Sequence, residues 1–508
     1  MRFLLGLIGL YLFFPLGCIV PLIQPTDQKS APYTERYRSQ FHFSPQTSWM
    51  NDPNGLVFHK GQYHLFYQYY PDSTIWGPMH WGHATSRDLT YWNHEPIALY
   101  PDSLGYIFSG SAVIDRQNSS GLGTNENPAM IAVFTYHNMG GERAGRTDFQ
   151  TQGIAYSLDD GLTWKKHKEN PVIDNPGIRD FRDPKVFWHE PSKKWILVLV
   201  AGDHAQIYQS VNLIEWKFAS SFGQDLGAHG GVWECPDLFP LTTDQGIQKW
   251  ILSVSVKAGG PNGGSATQYF VGEFDGTTFS TDQKDTKWLD YGRDNYAGVT
   301  YNDAPRNERV LLGWMSNWDY AQVTPTSSWR SAITLPRRLN LKLEDSNYFL
   351  VQKPILDSVL IAETRQIDAA TLNDGLGLQL EMSRIEFEVD LSQNTVFELY
   401  NNKQERFVFT IQGSTGQMIV DRRASGEINF SEKFAPRLQQ TIYHPEERSA
   451  PVDIFCDASS IEIFVDSGRY VFTNQVFPQQ PYTHLKITAD GPLTDNIIFT
   501  ELNSIWHE

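Results

Sequence analysis

Cysteine is scarce in this sequence. The 508 residues contain three cysteines, Cys18, Cys235 and Cys456, and Cys18 lies in an apolar leader. The other two cannot form a disulfide framework, although they leave one bridge open. Metal-ligand spacing is also missing, because His80 and His83 in "MHWGH" have no third ligand nearby. We therefore predict no disulfide scaffold, no catalytic metal and no cofactor.

The chain also has fewer positively than negatively charged residues. The chain has 41 Lys and Arg against 58 Asp and Glu, a net charge of -17 at pH 7. Such a charge repels nucleic acids and anionic membrane surfaces. The aromatic share of 13% suits sheet-rich folds and sugar-stacking surfaces equally. We expect no nucleic-acid partner and a neutral small molecule or polysaccharide as substrate, and the composition leaves the oligomeric state open.

One long apolar run, from Phe3 to Val20 after Arg2, stands at the start of the chain. Its position and its single early charge predict a signal peptide over residues 1–24 and a secreted, extracellular protein with no membrane partner after cleavage. An uncleaved anchor is the alternative, since the run is just long enough to span a bilayer. A lipoprotein site at Leu16-Gly17-Cys18 is disfavoured by Pro15.

Helical periodicity is absent between residues 40 and 340, where five similar units follow one another instead. Each unit begins with alternating strands joined by a turn, and the units open at Asp52, Ser109, Asp183, Glu234 and Ala297. Second strand pairs recur in "ATSRDLTYW", "AYSLDDGLTW" and "YQSVNLIEW". Four short strands per unit predict a five-bladed β-propeller over residues 33–340, with a β-sandwich carrying long loops as the alternative.

Alternating strands at sandwich spacing continue to the end of the chain, so residues 353–508 are predicted to form a C-terminal β-sandwich. The whole protein is then all-β. The two aspartates of "CDASSIEIFVD" flank a hairpin, and we interpret them as structural.

Three of the five units open with a carboxylate, namely Asp52, Asp183 and Glu234. The first strand of each propeller blade lines the central channel, so equivalent positions converge on the axis. Three converging carboxylates without a metal suit the cleavage of an acetal, which needs a proton donor and a carboxylate facing the oxocarbenium ion. A structural ring of ion pairs with Arg182 is the alternative.

The neighbours in sequence suggest separate roles for the three carboxylates. Glu234 lies between the apolar Trp233 and Cys235, which favours a protonated acid. Asn51 and Asn54 flank Asp52, and their amides are expected to keep it ionised as a nucleophile. Arg182 directly precedes Asp183 and is expected to keep that aspartate charged, fit to bind hydroxyls and stabilise positive charge.

The motifs "WMNDPNG", "FRDP" and "WECPDLF", in that order, resemble the three signatures of glycoside hydrolase family 32, the invertases, inulinases and levanases. The resemblance covers essentially the whole mature chain. It implies Asp52 as nucleophile, Asp183 as transition-state stabiliser and Glu234 as general acid/base. The other sugar contacts that it implies are Asn51, Gln68, Trp76, Phe108, Ser109, Arg182 and Trp314, each of which can also be read as a packing or backbone-satisfying residue.

The resulting expectation is a secreted, retaining β-fructofuranosidase that removes terminal fructose from sucrose or β-fructans. A fructosyltransferase using the same carboxylates is the alternative within the family. A sialidase-type propeller is a further alternative, because "SLDDGLTW" fits the Asp-box pattern. That pattern marks a hairpin turn rather than chemistry, and Arg182 is the only arginine in the three carboxylate motifs. A silent sugar-binding module would not need Glu234 in addition to two aspartates.

Overall fold

A computed structural model describes residues 33–444, 449–491 and 497–506, and the predicted signal peptide lies outside these residues. The described chain consists of strands with two short helices, α1 (Met139–Arg143) and α2 (Ala369–Asn373), and three 3-10 turns at Pro305–Asn307, Ala321–Val323 and Ser358–Leu360. The predicted all-β class is confirmed. Among the described residues, no helix is long and apolar enough to cross a membrane.

The strands up to Pro354 form five antiparallel sheets, each built from consecutive segments of the chain. The first contains β1 (Ser48–His59), β2 (Gln62–Tyr70), β3 (His80–Ser86) and β4 (Asn93–Leu99); the second contains β5 (Tyr106–Ile114), β6 (Met130–His137), β7 (Gln150–Ser157) and β8 (Lys165–Lys166). The third contains β9 (Phe181–His189), β10 (Lys194–Ala201), β11 (Ala205–Ser210) and β12 (Lys217–Phe222); the fourth contains β13 (Trp233–Thr242), β14 (Gln248–Val256), β15 (Ala266–Phe274), β16 (Phe279–Ser280) and β17 (Lys287–Trp288).

The fifth sheet closes the ring. One short strand from this last part of the propeller, β20 (Trp329–Arg330), joins the first sheet, where it pairs in parallel with β1. The fifth sheet itself contains β18 (Tyr296–Thr300), β19 (Arg309–Met315), β21 (Ala332–Ile333), β22 (Arg337–Glu344) and β23 (Asn347–Pro354). The first strands contact one another in the cyclic order β1, β5, β9, β13, β18 and back to β1. This arrangement is a propeller, in which the innermost strands surround one axis.

Residue burial explains why the strands of the blades and those of the sandwich have different patterns of apolar residues. The second strand of a blade, such as β10 with the sequence KWILVLVA, is buried on both faces between neighbouring sheets and is therefore almost continuously apolar. Sandwich strands face the core on one side only, so they alternate. The strand over Arg406–Gln412 is an example, with every second residue buried.

The predicted end of the propeller at residue 340 differs from the structure. Residues 337–344 and 347–354 pair as a hairpin, and this hairpin supplies the outer strands of the fifth sheet. The sequence up to Leu341 alternates and continues into polar residues, which reads as the end of a domain. The outer strands of a blade carry less apolar sequence than the inner ones. The sequence pattern therefore places the end of the propeller too early.

The remaining strands form two facing sheets. They are β24 (Ile361–Ile367), β25 (Ser383–Asp390), β26 (Asn394–Tyr400), β27 (Arg406–Gln412), β28 (Gln417–Ala424), β29 (Gln439–Ile442), β30 (Ser449–Asp457), β31 (Ser460–Val465), β32 (Tyr470–Gln475), β33 (His484–Ala489) and β34 (Ile497–Leu502). One sheet has the order β24-β34-β25-β30-β31-β32 and the other β29-β28-β27-β26-β33. A cluster of buried apolar side chains from both sheets fills the space between them. The predicted propeller-plus-sandwich fold class is confirmed.

Buried charges join the sandwich to the propeller and to the N-terminal segment. Glu462 on β31 accepts a hydrogen bond from Arg337 of β22 at 2.5 Å and contacts the ring of His42 at 2.8 Å. The other ring nitrogen of His42 lies 2.7 Å from Asp457 on β30, one of the two aspartates interpreted as structural. All four side chains are buried. Hydrogen bonds to the two carboxylates outweigh the burial of His42 and raise its pKa to about 9.

We expect His42 to make stability depend on pH. Its folded pKa lies above the ordinary value of 6.5, so its contribution is complete below pH 6.5 and is lost as the pH rises through about 9. Replacing it leaves the buried Asp457 without its cation and Glu462 with Arg337 alone, and His42→Gln should lower the free energy of unfolding at pH 6 by about 3 kcal/mol. Thermal unfolding between pH 6 and 9 measures both effects. His484→Gln is the control, because that half-buried ring hydrogen-bonds its neighbour Thr483 and stacks on Tyr400 without contacting a carboxylate of the described chain. An unchanged melting temperature in His42→Gln would contradict this assignment.

Candidate active site

The first strands of all five blades are distorted beside the residues that open the units. Strand pairing is interrupted by a β-bulge or irregularity between Asn54 and Val57 in β1, between Ile107 and Gly110 in β5 and between Glu234 and Asp237 in β13, with equivalent breaks in β9 and β18. Bulges bend a strand and redirect its side chains. Repeated around the ring, they turn one short segment of each blade toward the axis.

These bulges bring the three predicted carboxylates into one cluster. The backbone at Asp183 and at Cys235, next to Glu234, adopts positive φ of 63° and 47°. Such angles are uncommon outside glycine and are found where a fold fixes a functional position. Asp52 and Asp183 both receive contacts from Cys235, whose sulfur lies 3.4 Å from a carboxylate oxygen of Asp52. The charge of Glu234 acts on the pKa of both aspartates.

Asp52 is held by donors from two blades. Ser109 of β5 donates to one carboxylate oxygen at 2.6 Å, and Asn51 donates to the other at 3.0 Å. Asn51 is itself oriented by the indole N–H of Trp49, which donates to its side-chain oxygen at 2.7 Å. Burial raises the pKa of Asp52 and the charge of Glu234 adds to this, while the bonds from Ser109 and Asn51 lower it. The oxygen atoms of Asp52 are thus fixed in direction.

The predicted role of Asn54 beside Asp52 is wrong. Its side-chain oxygen accepts from the backbone N–H of Gly110 at 3.3 Å, and its buried amide nitrogen has no partner among the described residues. The pairing of β1 is irregular on both sides of this pair of residues, between Met50 and Pro53 and between Asn54 and Val57, so the regular alternation that puts residues two apart on one face does not hold here. Ser109, 57 residues along the chain, supplies the bond instead.

Glu234 is surrounded by donors, not by apolar groups as its sequence neighbours suggested. Arg182 donates to one carboxylate oxygen at 2.9 Å, and the hydroxyl of Tyr296 on β18 donates to the other. The ring of Trp233 lies in the apolar cluster between the third and fourth sheets. The position of the Glu234 carboxyl group is set by Arg182 and Tyr296, and its desolvation by Trp233 stays a prediction.

Arg182 faces Glu234 and Asp180 more closely than it faces Asp183. It donates to Asp180 at 2.6 Å, whereas its Nε lies 3.7 Å from Asp183. One oxygen of Asp183 accepts the backbone N–H of Cys235 at 3.0 Å. Burial raises the pKa of Asp183 to about 7, with Glu234 and Asp52 adding to the rise and Arg182 opposing it. The prediction that Arg182 keeps Asp183 charged is corrected accordingly, because burial outweighs one guanidinium.

The remaining predicted contacts lie in three environments. Gln68 is buried and donates to the backbone oxygen of Ile107 at 3.1 Å, which joins the first two blades. Trp76 and Phe108 are half-buried and meet edge to face at 6.0 Å next to Ser109. Trp314 is fully buried, 6.3 Å from the ring of Tyr296 and 4.9 Å from Trp318. Trp76 and Phe108 thus present partly exposed rings beside Ser109, whereas Gln68 and Trp314 are enclosed by protein, and a sugar contact by any of the four stays a prediction.

Several residues of this site were not predicted from the sequence. Tyr296 bonds Glu234, Thr135 accepts the backbone N–H of Asp183 at 2.9 Å, and Gln150 accepts from Arg182 at 3.3 Å. Asp180, two residues before Arg182, also belongs here. Tyr296 directly precedes Ala297, which opens the fifth unit, so the repeat pattern could have identified it. Thr135 and Gln150 carry no motif and come from second and third strands of the second blade.

The Asp-box segment lies at the outer edge of the second blade. Asp159 accepts from the backbone N–H of Thr163 at 2.9 Å and from its hydroxyl at 2.6 Å, and Trp164 donates to the oxygen of Gly161. These bonds close the turn between β7 and β8. The segment therefore marks blade architecture and contributes nothing to the carboxylate cluster.

The comparisons with known proteins point to the same chemistry as the cluster. The sequence model for the glycosyl hydrolases family 32 N-terminal domain matches residues 42–354, and the one for the glycosyl hydrolases family 32 C-terminal region matches residues 358–506. The chain belongs to glycosyl hydrolase family 32. As a family 32 member it is a glycoside hydrolase, and the resemblance of its three motifs is confirmed.

Relatives in family 32 cover nearly all of the chain. A levanase of Bacillus subtilis is 44% identical over 94% of this chain and 72% of its own length. An extracellular exo-inulinase of Aspergillus awamori is 40% identical over 92% of this chain and 94% of its own. The crystal structure of the Aspergillus awamori exo-inulinase superposes with a TM-score of 0.84, covering 93% of this chain and all of the other. A β-fructofuranosidase of Schwanniomyces occidentalis complexed with fructosyl-erythritol superposes at 0.82, with 30% identity over 93% of this chain and 99% of the other.

Proposed function

We propose that this protein is a secreted, retaining β-fructofuranosidase that releases terminal fructose from sucrose and β-fructans. The observation that carries the proposal is the unequal surroundings of two carboxylates in one cluster. Asp52 is oriented by the neutral donors Ser109 and Asn51, while Glu234 is bonded by Arg182 and Tyr296. The names of the levanase and exo-inulinase relatives support the substrate class.

In the first step, Asp52 attacks the anomeric carbon of the fructosyl residue while the bond to the leaving oxygen breaks. Glu234 gives its proton to that oxygen, so that sucrose leaves glucose and a fructan leaves a chain shortened by one unit. The product is a fructosyl ester on Asp52 and an ionised Glu234. The bonds from Ser109 and Asn51 hold the attacking oxygens in one orientation. This lowers the entropic cost of reaching a reactive geometry.

In the second step, Glu234 removes a proton from water, and the resulting hydroxide attacks the same carbon and displaces Asp52. Arg182 and Tyr296 bond the ionised carboxylate that this step requires. Two displacements at one carbon return the original anomeric configuration. Asp183 faces the same space and is proposed to bind fructose hydroxyls and the positive charge that develops on the ring.

One proton stays on the cluster up to about neutral pH when no ligand is bound, because burial raises the pKa of Asp183 to about 7. Acid catalysis needs such a proton when the substrate arrives. A ligand hydroxyl bonded to Asp183 favours the charged aspartate, which leaves Glu234 as the group that carries the proton to the leaving oxygen.

A product assay tests the function. The protein is incubated with sucrose, inulin and levan at low and high concentration, with a sialoside as the fourth substrate. Free fructose is expected from the first three, and proton NMR should show the β-anomer first. A majority of fructo-oligosaccharides at high sucrose concentration would favour the fructosyltransferase, and release of sialic acid with no action on fructosides would overturn the proposal.

Exo action is part of the proposal, because a pocket on a propeller axis accepts a chain end more readily than the middle of a chain. Secretion rests on the apolar run from Phe3 to Val20 and agrees with the extracellular exo-inulinase among the relatives. Recovery of the processed protein from the medium of the producing cells is the expected result. Retention in the cell with the leader attached would contradict it.

The bond from Ser109 should set the acid limb of the pH profile. Asp52 must be ionised to attack, so activity falls as the pH drops through its pKa. Because that bond lowers the pKa of Asp52, Ser109→Ala should move the acid limb of kcat/KM on sucrose to higher pH. Thr151→Ala, on β7, is the matched control for loss of a hydroxyl in the same blade. An acid limb that stays in place would show that Asp52 is not the group titrating there.

Asp183→Asn should make the protein more stable above neutral pH while reducing activity. The folded pKa of about 7 lies above the ordinary 3.8, so the contribution of Asp183 to stability is complete below about pH 3.8 and is lost as the pH rises through 7. Asparagine has no proton to lose, and the gain at pH 8 should reach a few kcal/mol. Thermal unfolding at pH 4 and pH 8 measures it, with the exposed Asp282→Asn as control. Equal gains at both pH values would contradict the assignment.

A further inference from the structure

A cavity lies at the end of the propeller axis opposite to the carboxylate cluster. It measures about 460 Å³ and is lined by the far ends of the blades, including Phe187, Trp188, Trp250 and Arg309. In β9, Arg182 and Asp183 stand near the start of the strand and Trp188 near its end. Six residues of extended strand span about 20 Å. We call this space the lower cavity.

The lower cavity is separate from the carboxylate cluster. The axis between the two is filled by side chains, and the void around Pro184 and Lys185 measures only about 10 Å³. Lys185 is buried and lies 3.3 Å from the buried Asp237. A ligand in the lower cavity therefore cannot reach Asp52 or Glu234 through the axis, and none of the proposed catalytic steps uses this space.

Aromatic rings form one side of the lower cavity. Trp188 is half-buried, its indole N–H donates to Glu190 at 2.6 Å, and its ring meets Trp195 at 5.2 Å. Trp250 is also half-buried and packs against Phe187 at 5.6 Å. Tryptophan rings fixed on strands lose little freedom on binding and offer flat apolar area. Such rings suit the C–H faces of a sugar.

Polar groups on the opposite side are not fully satisfied. Arg309 lines the cavity, is half-buried and forms no hydrogen bond or ion pair within the described part of the chain. Its guanidinium lies 5.7 Å from the ring of Phe239, and its Nε is buried, so a ligand would bond the terminal nitrogens. Asp303, in the same wall, pairs with Arg116 at 3.4 Å. Donors without a protein acceptor at the wall of a cavity suit a ligand that supplies one. A hydroxyl group can accept from Arg309 and donate to Asp303.

The charges of the wall argue for a neutral ligand. Arg116 and Arg309 are balanced by Glu190, Asp303 and Glu308, so no single sign dominates. The net charge of the whole chain, -17, opposes polyanions. Volume, aromatic faces and paired polar groups together fit one or two sugar rings.

We propose that the lower cavity is a non-catalytic binding site for a neutral β-fructan chain, which it holds through Trp188, Trp250 and Arg309 while the carboxylate cluster acts on chain ends. The choice of fructan rests on the proposed function. Because the two sites are at opposite ends of the axis, the lower cavity raises the local concentration of polymer and does nothing for a disaccharide.

Native electrophoresis in gels containing levan or inulin tests the site. The comparison uses Trp188→Ala and Arg309→Gln, each in an Asp52→Asn background that cannot consume the polymer. Phe218→Ala, an exposed aromatic on the same blade, is the matched control. The polymer dissociation constant should rise about tenfold in both cavity variants and stay unchanged in the control. Retardation of both variants equal to that of the control would overturn the proposal.

Kinetics of the otherwise wild-type variants separate this site from the catalytic one. In Trp188→Ala and Arg309→Gln, kcat and KM on sucrose should be unchanged, which also shows that the variants are folded, while KM on levan or inulin should rise several-fold. Equal retardation by dextran and by fructans would overturn the choice of fructan. Failure of the wild-type protein to hydrolyse any fructoside would overturn the proposed function. Normal hydrolysis, with the cavity variants retarded as strongly as the control, would overturn only the binding site proposed in the lower cavity.

Discussion

Asp52→Ala is expected to lose at least about 10⁴-fold in kcat on sucrose and to lose activity on β-fructosyl fluoride equally. Asp52 forms the bond to the anomeric carbon in the proposed mechanism, and no better leaving group can replace a missing nucleophile. Asp183 is no substitute, because one of its carboxylate oxygens is held by the backbone N–H of Cys235 and the group is proposed to bind fructose hydroxyls. Initial rates on both substrates measure the effect.

The exposed Asp282→Ala, at the outer edge of the fourth blade, is the matched control and should keep full activity. Restoration of Asp52→Ala activity by fluoride as leaving group would contradict the nucleophile assignment.

Glu234→Ala is expected to lose about 10³-fold or more on sucrose but to keep most of the first step with β-fructosyl fluoride. Protonation of the leaving oxygen matters for glucose and hardly at all for fluoride. The second step lacks its base, so the fructosyl-enzyme accumulates, and added azide should release it as β-fructosyl azide because azide needs no base. Rates on both substrates with and without azide separate the two steps.

The control for Glu234→Ala lies in the same sheet. Glu273→Ala removes an exposed glutamate of β15 that pairs with Lys249, and it should leave every rate unchanged. Equal loss on sucrose and fluoride with no azide product would show that Glu234 is not the acid/base.

The three carboxylates could be predicted because the repeat and the motifs are local in sequence. Asp52, Asp183 and Glu234 each open a unit, and the ring order of the blades then brings them together without further information. Tyr296 stands directly before Ala297, which opens the fifth unit, but a tyrosine carries no signal of acid–base chemistry by itself. It becomes informative only once its hydroxyl is seen on Glu234.

Contacts between blades could not be predicted from neighbours in the sequence. Asn54 stands two residues from Asp52 yet bonds Gly110, whereas Ser109 of the next blade bonds Asp52. Arg182 stands beside Asp183 yet bonds Glu234 of the following blade. The bulges in the first strands break the regular alternation of side chains, and the ring of blades brings residues distant in sequence together. The protonation states follow from these contacts and from burial.

The central claim is that a covalent fructosyl ester forms on Asp52. Its most direct test is mass spectrometry of Glu234→Ala after incubation with β-fructosyl fluoride, followed by proteolysis. The account predicts one added fructosyl group on the peptide that contains "WMNDPNG", absent when Asp52 is also replaced. An adduct on the peptide containing Asp183, or no adduct with the fluoride consumed, would contradict it.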